Sequence, residues 1–257
     1  MTLAVVLALA MGGAARPSLL EPDLPASWTP EGVQAALVSG IDVHARTEDG
    51  VTALMLAAER NENPEVVRVL IGAGANVNAR TEDDRRVGHR TGKTALMFAA
   101  LGNENPEVLW ALINAGAAVN ASGAQGTTAL VLAAQMNANP EVVQALINAG
   151  ANLEADTEQV ASPLRLAALW NPNPEVVRVL SNAGANLEAR DSIFGWTPLM
   201  CASINNRNPE VVRALLDAGA DGAARDARGL TAFDHAGDNE ALHGTDVYWL
   251  LGDARFR

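Results

Sequence analysis

The sequence has few aromatic residues, few basic residues and a single cysteine. Phe, Tyr and Trp make up 4% of the 257 residues, and Cys201 has no second cysteine with which to form an intramolecular disulfide. Lys and Arg number 18 against 30 Asp and Glu, which gives a net charge of -12. Because an acidic surface repels phosphate groups, nucleic acid is a poor candidate partner. Long apolar runs are also missing, so we expect no stable membrane span.

Sequence motifs for catalysis or metal binding are missing as well. The glycines are spaced at regular intervals rather than gathered in a phosphate-binding loop, and the 4 histidines are scattered. Asp234, His235, His243 and Asp246 cluster late in the chain, and they suit a polar terminal helix better than a metal site. We therefore predict that the protein is not an enzyme and has no catalytic residue, no metal site and no cofactor.

Residues 1–26 differ from the rest of the chain. Leu3 to Met11 form an apolar run, followed by small residues and Arg16-Pro17, in the manner of a secretory signal peptide. The run is too short to be a transmembrane helix. These features favour export to the periplasm, but no Lys or Arg precedes the run, so a cytoplasmic location stays open.

What the sequence does contain is an internal repeat. The first marker is a Thr or Ser followed by Ala-Leu, Pro-Leu or Ala-Phe. The second marker is the dipeptide Pro-Glu. In every full repeat the second marker follows the first at the same distance, as Pro64 follows Thr52. The hydroxyl residues are Thr52, Thr94, Thr128, Ser162, Thr197 and Thr231, and the prolines are Pro30, Pro64, Pro106, Pro140, Pro174 and Pro209. Two markers in constant register exclude coincidence and indicate a repeat protein.

The second repeat shows what each unit should look like. Thr52 suits the N-cap of a first helix, and Asn63-Pro64 suits the start of a second. Asn61 tolerates the left-handed conformation that ends a helix, and Gly74 would end the second helix. One such unit cannot bury its apolar stripe alone, so the units must stack.

The segment Thr-Pro-Leu-Met-Cys-Ala-Ser at 197–203, with the recurring Ala-Gly-Ala-Asn and Ala-Gly-Ala-Asp runs, resembles the ankyrin repeat. The variant Asn-x-Asn-Pro-Glu-Val resembles a type common in bacterial ankyrin proteins. The resemblance implies an all-α ankyrin-repeat solenoid of about seven helix-turn-helix repeats joined by hairpin loops over residues 27–257. The expected repeats are roughly 27–46, 47–80, 89–122, 123–156, 157–190, 192–225 and 226–257, with an insertion near 83–91.

This sequence departs from the ankyrin motif at its usual histidine. Met55, Arg165 and Asp234 are among the residues that stand there. The hydrogen bonds that the histidine makes between hairpins should therefore be absent. We expect side-chain packing to replace them.

Ankyrin arrays bind protein partners on a concave surface made of hairpin tips and the ends of first helices, and here several of those positions are apolar. They are Leu101, Met136, Leu169, Trp170, Ile193, Phe194, Trp196 and Ile204. Apolar patches on a solvated surface usually mark an interface, although these side chains could instead pack on one another. We predict a monomeric protein-protein interaction module or scaffold. The alternatives are a passive structural or envelope-protective repeat protein, or a regulator or inhibitor of a partner enzyme.

Overall fold

The described part of the chain is all-α, as the sequence predicts. The computed structural model describes residues 27–82, 92–155 and 161–256, and these contain thirteen α-helices. The apolar N-terminal run and the insertion near 83–91 lie outside the described residues. The chain divides into two compact units, Met1–Ala124 and Gln125–Arg257, each described by itself below.

Unit 1 contains five described helices in sequential pairs. Two of them, α2 and α4, follow hairpin turns and are called first helices, and they pack side by side. The other three, α1, α3 and α5, are second helices and form a parallel row of their own. The bounds are α1 Pro30–Val38, α2 Ala53–Arg60, α3 Pro64–Gly72, α4 Ala95–Gly102 and α5 Pro106–Asn114.

Unit 2 repeats this arrangement over eight described helices. The first helices α6, α8, α10 and α12 pack in sequence, and so do the second helices α7, α9, α11 and α13. The bounds are α6 Ala129–Met136, α7 Pro140–Asn148, α8 Pro163–Trp170, α9 Pro174–Asn182, α10 Pro198–Asn205, α11 Pro209–Asp217, α12 Ala232–Ala236 and α13 Asp246–Ala254.

Local sequence explains where the helices begin and end. Thr52 caps α2 by accepting a hydrogen bond from the Met55 N–H, and Asn63 caps α3 by accepting one from the Glu65 N–H. Proline occupies the first turn of α3, where its missing N–H costs nothing. Gly74 follows α3 with a φ of 97°, a left-handed conformation that glycine adopts without strain. The predicted helix starts at Thr52 and Asn63-Pro64 and the predicted stop at Gly74 are thus confirmed.

Asn61, however, does not take the predicted left-handed conformation. Its φ is -103° and its ψ is 116°, so the backbone is extended and the side chain turns toward the preceding repeat. Its Nδ2 donates to the Trp28 carbonyl at 3.0 Å, and its Oδ1 accepts from the Asn63 N–H at 2.9 Å. The first asparagine of the Asn-x-Asn-Pro-Glu motif therefore joins adjacent repeats, while the second caps a helix and, at Asn105, Asn173 and Asn208, also donates to one carbonyl of the preceding repeat.

The same buried asparagine recurs along both units. In unit 2, Asn171 is 1% exposed and donates to the carbonyls of Ala134 and Asn137 at 3.0 and 2.9 Å. Asn103, Asn206 and Asn239 donate in the same way to two carbonyls of the repeat before them. Each side chain satisfies helix-end carbonyls that would otherwise be buried without a partner.

The position of the usual ankyrin-motif histidine keeps polar contacts at several repeats. Met55 Sδ accepts from the Thr52 N–H at 3.5 Å, and Asp234 Oδ2 accepts from the Thr231 N–H at 2.8 Å. Arg165 is buried, with its guanidinium 3.8 Å from Asp191 Oδ2. The expectation that packing would replace the histidine is therefore wrong at Arg165, whose guanidinium reaches Asp191 of the next hairpin, whereas the Met55 and Asp234 contacts stay within their own repeats.

Candidate functional site

Four of the predicted contact residues are well exposed, and all four lie in unit 2. Met136 is 61% exposed, Trp170 53%, Ile193 72% and Phe194 47%. Water contact at so many large apolar side chains is unfavourable, at roughly 25 cal/mol for each Å² of apolar surface. These residues are therefore the first candidates for contact with another molecule.

The other four predicted residues are half-buried. Leu169, Trp196 and Ile204 belong to unit 2, and each keeps part of its side chain open to solvent. Leu101 belongs to unit 1, where it lies on α4 one residue before the end of the helix. The role of Leu101 in binding stays a prediction.

The ends of the first helices in unit 2 place one group of these residues in a row. Met136 is the last residue of α6 and Trp170 the last of α8, while Ile204 lies one residue before the end of α10. Since α6, α8 and α10 pack side by side, their ends lie next to one another. Asn205 Nδ2 also donates to the Leu169 carbonyl at 3.3 Å, which ties the end of α10 to that of α8.

A second group is held by the hairpin that precedes α10. The Asp191 carboxylate accepts hydrogen bonds from the N–H groups of Ile193, Phe194 and Trp196 at 2.9, 2.5 and 2.8 Å. The Asp191 N–H in turn donates to the Trp196 carbonyl at 3.2 Å and closes the hairpin. One carboxylate thus fixes the backbone that presents Ile193 and Phe194 to solvent.

Electrostatics reinforce this hairpin. Burial by itself would raise the pKa of Asp191, but the N–H groups of Phe194, Trp196 and Ile193 and the nearby Arg165 guanidinium outweigh burial and hold the pKa below its ordinary value. The side chain of Asp191 is 13% exposed, so the charge is largely screened from water by the hairpin itself. The carboxylate is therefore ionised at neutral pH and stabilises the loop.

Aromatic packing links this hairpin to the next repeat. The rings of Phe194 and Trp196 stack with centroids 4.5 Å apart, and Trp196 meets the His235 ring edge-on at 5.7 Å. His235 Nε2 lies 2.9 Å from Asp226 Oδ2, a buried contact at the base of the following hairpin. The Ala227 N–H donates to the Phe194 carbonyl at 2.9 Å, so the two hairpins are joined through their backbones.

The structure brings the predicted residues together as two groups rather than one. The hairpin group lies at the start of α10, and the helix-end row lies at the other end of the first helices. Eight residues of helix separate such ends by about 12 Å. Leu166 fills part of that interval on α8, half-buried and on the same helical face as Leu169 and Trp170.

Leu166 was missed by the sequence prediction, which considered only helix ends and hairpins. Its spacing of three and four residues from Leu169 and Trp170 is a signal that would have found it. The exposed and half-buried apolar residues along α6, α8 and α10 and on the 191–196 hairpin of unit 2 are named the first-helix face. They are Met136, Leu166, Leu169, Trp170, Ile193, Phe194, Trp196 and Ile204.

Comparison with known families assigns the fold. The model of the ankyrin repeats matches in three copies, over residues 27–122, 82–157 and 164–254. The chain belongs to the ankyrin-repeat family. The crystal structure of the human ASB11 ankyrin repeat domain is similar, with a TM-score of 0.71 and 21% identity over 91% of this chain and 96% of that one. No curated protein is detectably similar in sequence.

The late polar residues of this ankyrin-repeat chain each have a separate partner. Thr231 is the N-cap of α12, and Asp234 Oδ2 accepts a hydrogen bond from the Thr231 N–H. His243 Nε2 lies 2.9 Å from the Gly237 carbonyl, and Asp246 pairs with Arg213. Within 27–82, 92–155 and 161–256, no group of three or more His, Cys, Asp and Glu side chains could hold a metal ion. No helix in those ranges is long and apolar enough to cross a membrane.

The single thiol also serves packing within the ankyrin core. Cys201 lies on α10 and is 2% exposed. Burial raises the pKa of its thiol to about 11, despite the opposing effect of the nearby Arg165 guanidinium. A thiol with this pKa is protonated at neutral pH and is a poor nucleophile.

Proposed function

We propose that this ankyrin-repeat domain binds a protein partner through the first-helix face of unit 2. The observation that carries the proposal is the exposure of Met136, Trp170, Ile193 and Phe194 along that face, between 47% and 72%. Covering one such side chain contributes roughly 1.5–3 kcal/mol. Tryptophan and other aromatic residues are also the usual centres of protein interfaces. The Asn-x-Asn-Pro-Glu variant supports, within the same proposal, an ankyrin protein of the bacterial type.

Mutual packing of the aromatic side chains does not account for this exposure. Phe194 and Trp196 do stack on each other, which covers one side of each ring. Phe194 nevertheless keeps 47% of its surface exposed after stacking, and Ile193 keeps 72%. The hairpin is preorganised by Asp191, so a partner would not have to order it, and a lower entropic cost of binding follows.

A passive structural or envelope-protective protein is the principal alternative, and a paired pull-down separates it from binding. The baits are the wild-type chain, a Trp170→Asp/Phe194→Asp double variant and a Trp249→Asp control, each shown to be folded by circular dichroism. Trp249 is 66% exposed but lies on α13, a second helix. We expect a partner that the wild type and Trp249→Asp both retain and the double variant loses.

Two outcomes of the pull-down would contradict the proposal. A partner held equally by the wild type and the double variant places the interface elsewhere. Repeated failure of the wild type to retain any partner supports the passive structural role. If the retained partner is an enzyme, its activity with and without the ankyrin domain tests the regulator or inhibitor alternative.

A further inference from the structure

Three exposed arginines lie on the hairpins beside the first-helix face, together with the exposed Asp221 and the half-buried Glu188, although the chain as a whole is acidic. Arg190, Arg225 and Arg228 are exposed there, and the chain carries a net charge of -12. The two carboxylates at the bases of these hairpins, Asp191 and Asp226, have side chains 13% and 1% exposed. Their charges are directed inward to N–H groups and to Arg165 and His235, so neither carboxylate is directed at the exposed arginine side chains.

Most arginines of unit 2 already have partners within the fold. Arg178 pairs with Glu175, and Arg213 pairs with Glu210. Arg190 donates to the Gly195 and Arg225 carbonyls at 3.0 and 2.6 Å, and Arg225 donates to the Gly229 carbonyl at 2.8 Å. These contacts use the guanidinium groups to hold successive hairpins together.

Arg228 differs from these arginines. Its side chain is exposed and makes no ion pair or hydrogen bond with the described residues. It follows Ala227, whose N–H donates to the Phe194 carbonyl at 2.9 Å. The exposed Arg228 therefore lies one residue after Ala227, whose N–H contacts the Phe194 hairpin of the first-helix face.

We infer that the partner segment is acidic as well as apolar, with a carboxylate next to its apolar anchor that pairs with Arg228. This inference rests on the proposed function of the first-helix face. An apolar side chain would cover Phe194 and Ile193, and the neighbouring Asp or Glu would accept charge-assisted hydrogen bonds from the guanidinium. Because the chain as a whole is acidic, an acidic partner segment would find complementary charge where it lies against these exposed arginines.

A random peptide library displayed on phage tests the chemistry without a known partner. Peptides of about 12 residues are selected on the immobilised full chain and sequenced. We expect enriched peptides to combine aromatic or large aliphatic residues with Asp or Glu and to be depleted in Lys and Arg. An enriched peptide is then synthesised, and its affinity for variants is measured by fluorescence anisotropy.

Two charge reversals provide matched variants. Arg228→Glu should weaken binding of the selected peptide by roughly tenfold or more. Arg178→Glu makes the same change of charge at an arginine of α9, a second helix outside the first-helix face, and should leave affinity within about twofold. Equal effects of the two reversals, or an unchanged affinity in Arg228→Glu, would overturn the inference.

Other outcomes separate this inference from the proposed function. Basic or neutral enriched peptides that lose affinity in Phe194→Ser overturn the acidic partner and leave the binding face intact. Peptides indifferent to both Phe194→Ser and Trp170→Ser overturn the binding face as well, as does a selection that enriches nothing on the wild type. A dimer seen by sedimentation and lost in Phe194→Ser would show that a second copy occupies the face instead.

Discussion

Replacement of Asn171 by alanine should destabilise the domain by about 3 kcal/mol. The side chain is 1% exposed and makes three hydrogen bonds: two from Nδ2 to the carbonyls of Ala134 and Asn137, at 3.0 and 2.9 Å, and one at Oδ1 from the Asn173 N–H, at 2.9 Å. Each such bond contributes about 1 kcal/mol net, and the loss grows where a buried partner stays unsatisfied.

Equilibrium unfolding in urea, followed by far-ultraviolet circular dichroism, measures the change in the free energy of unfolding. Asn173→Ala is the comparison variant, because Asn173 is half-buried and makes one cap bond to the Glu175 N–H and a single bond to the preceding repeat, at the Ala138 carbonyl, which together are worth about 1–2 kcal/mol. Asn171→Asp should be at least as destabilising as Asn171→Ala, because a carboxylate would face two carbonyl oxygens. A loss from Asn171→Ala that is no larger than the loss from Asn173→Ala would refute the role of this asparagine in joining repeats.

Three further predictions concern the core, the hairpin and a close backbone approach. Cys201, with a pKa of about 11, should react with a thiol reagent at about pH 8 only after urea unfolds the domain; rapid reaction of the native protein would contradict its burial. Asp191 has a lowered folded-state pKa, so its stabilisation is present at neutral pH and is lost as the pH falls below about 4. Stability of Asp191→Asn should therefore fall less than that of the wild type between about pH 5 and pH 2, and equal slopes would argue against the Asp191 contacts. Gly222→Ala would place a Cβ 2.5 Å from Ala254 Cβ and should cost about 1–3 kcal/mol in urea unfolding. Gly72 lies in α3, and a Cβ added there would meet no atom within 4 Å, so Gly72→Ala should be neutral or slightly stabilising. An equal loss of unfolding free energy in both glycine variants would refute the steric argument.

Local sequence was sufficient to predict where helices begin. Thr52 and Pro64 mark the starts of α2 and α3, because capping and the fixed φ of proline depend on neighbours in the chain. The burial of Cys201 is also readable from the sequence, because Leu56 and Leu132 occupy the same position in other repeats. Such features recur in successive repeats, so each copy supports the prediction for the next.

Asn61 shows where local reasoning was insufficient. Asparagine tolerates a left-handed backbone, yet the Nδ2 partner of Asn61 is the Trp28 carbonyl of the preceding repeat. That contact exists only after the repeats stack, and it selects an extended backbone instead. Tertiary hydrogen bonds of this kind override single-residue preferences.

Prediction of the candidate site was limited for the same reason. Apolar type alone could not separate exposed Phe194 from half-buried Trp196, because the difference depends on how Asp191 folds the hairpin and on the packing of Trp196 against His235. The exposed guanidinium of Arg228 was also invisible to the sequence, since sequence alone does not distinguish it from Arg190, which finds a partner across hairpins, or Arg213, which finds one along its helix.

Site-specific photo-crosslinking tests most directly whether the first-helix face binds a partner. A photoreactive phenylalanine analogue replaces Phe194 in one variant and Trp249 in another, and cells of the native organism or their lysate are irradiated. The two positions are 47% and 66% exposed, so chance collisions should label the control at least as often. We predict a discrete adduct with one protein at position 194 and none at 249. Identical adducts at both positions, or none at 194, would contradict the account.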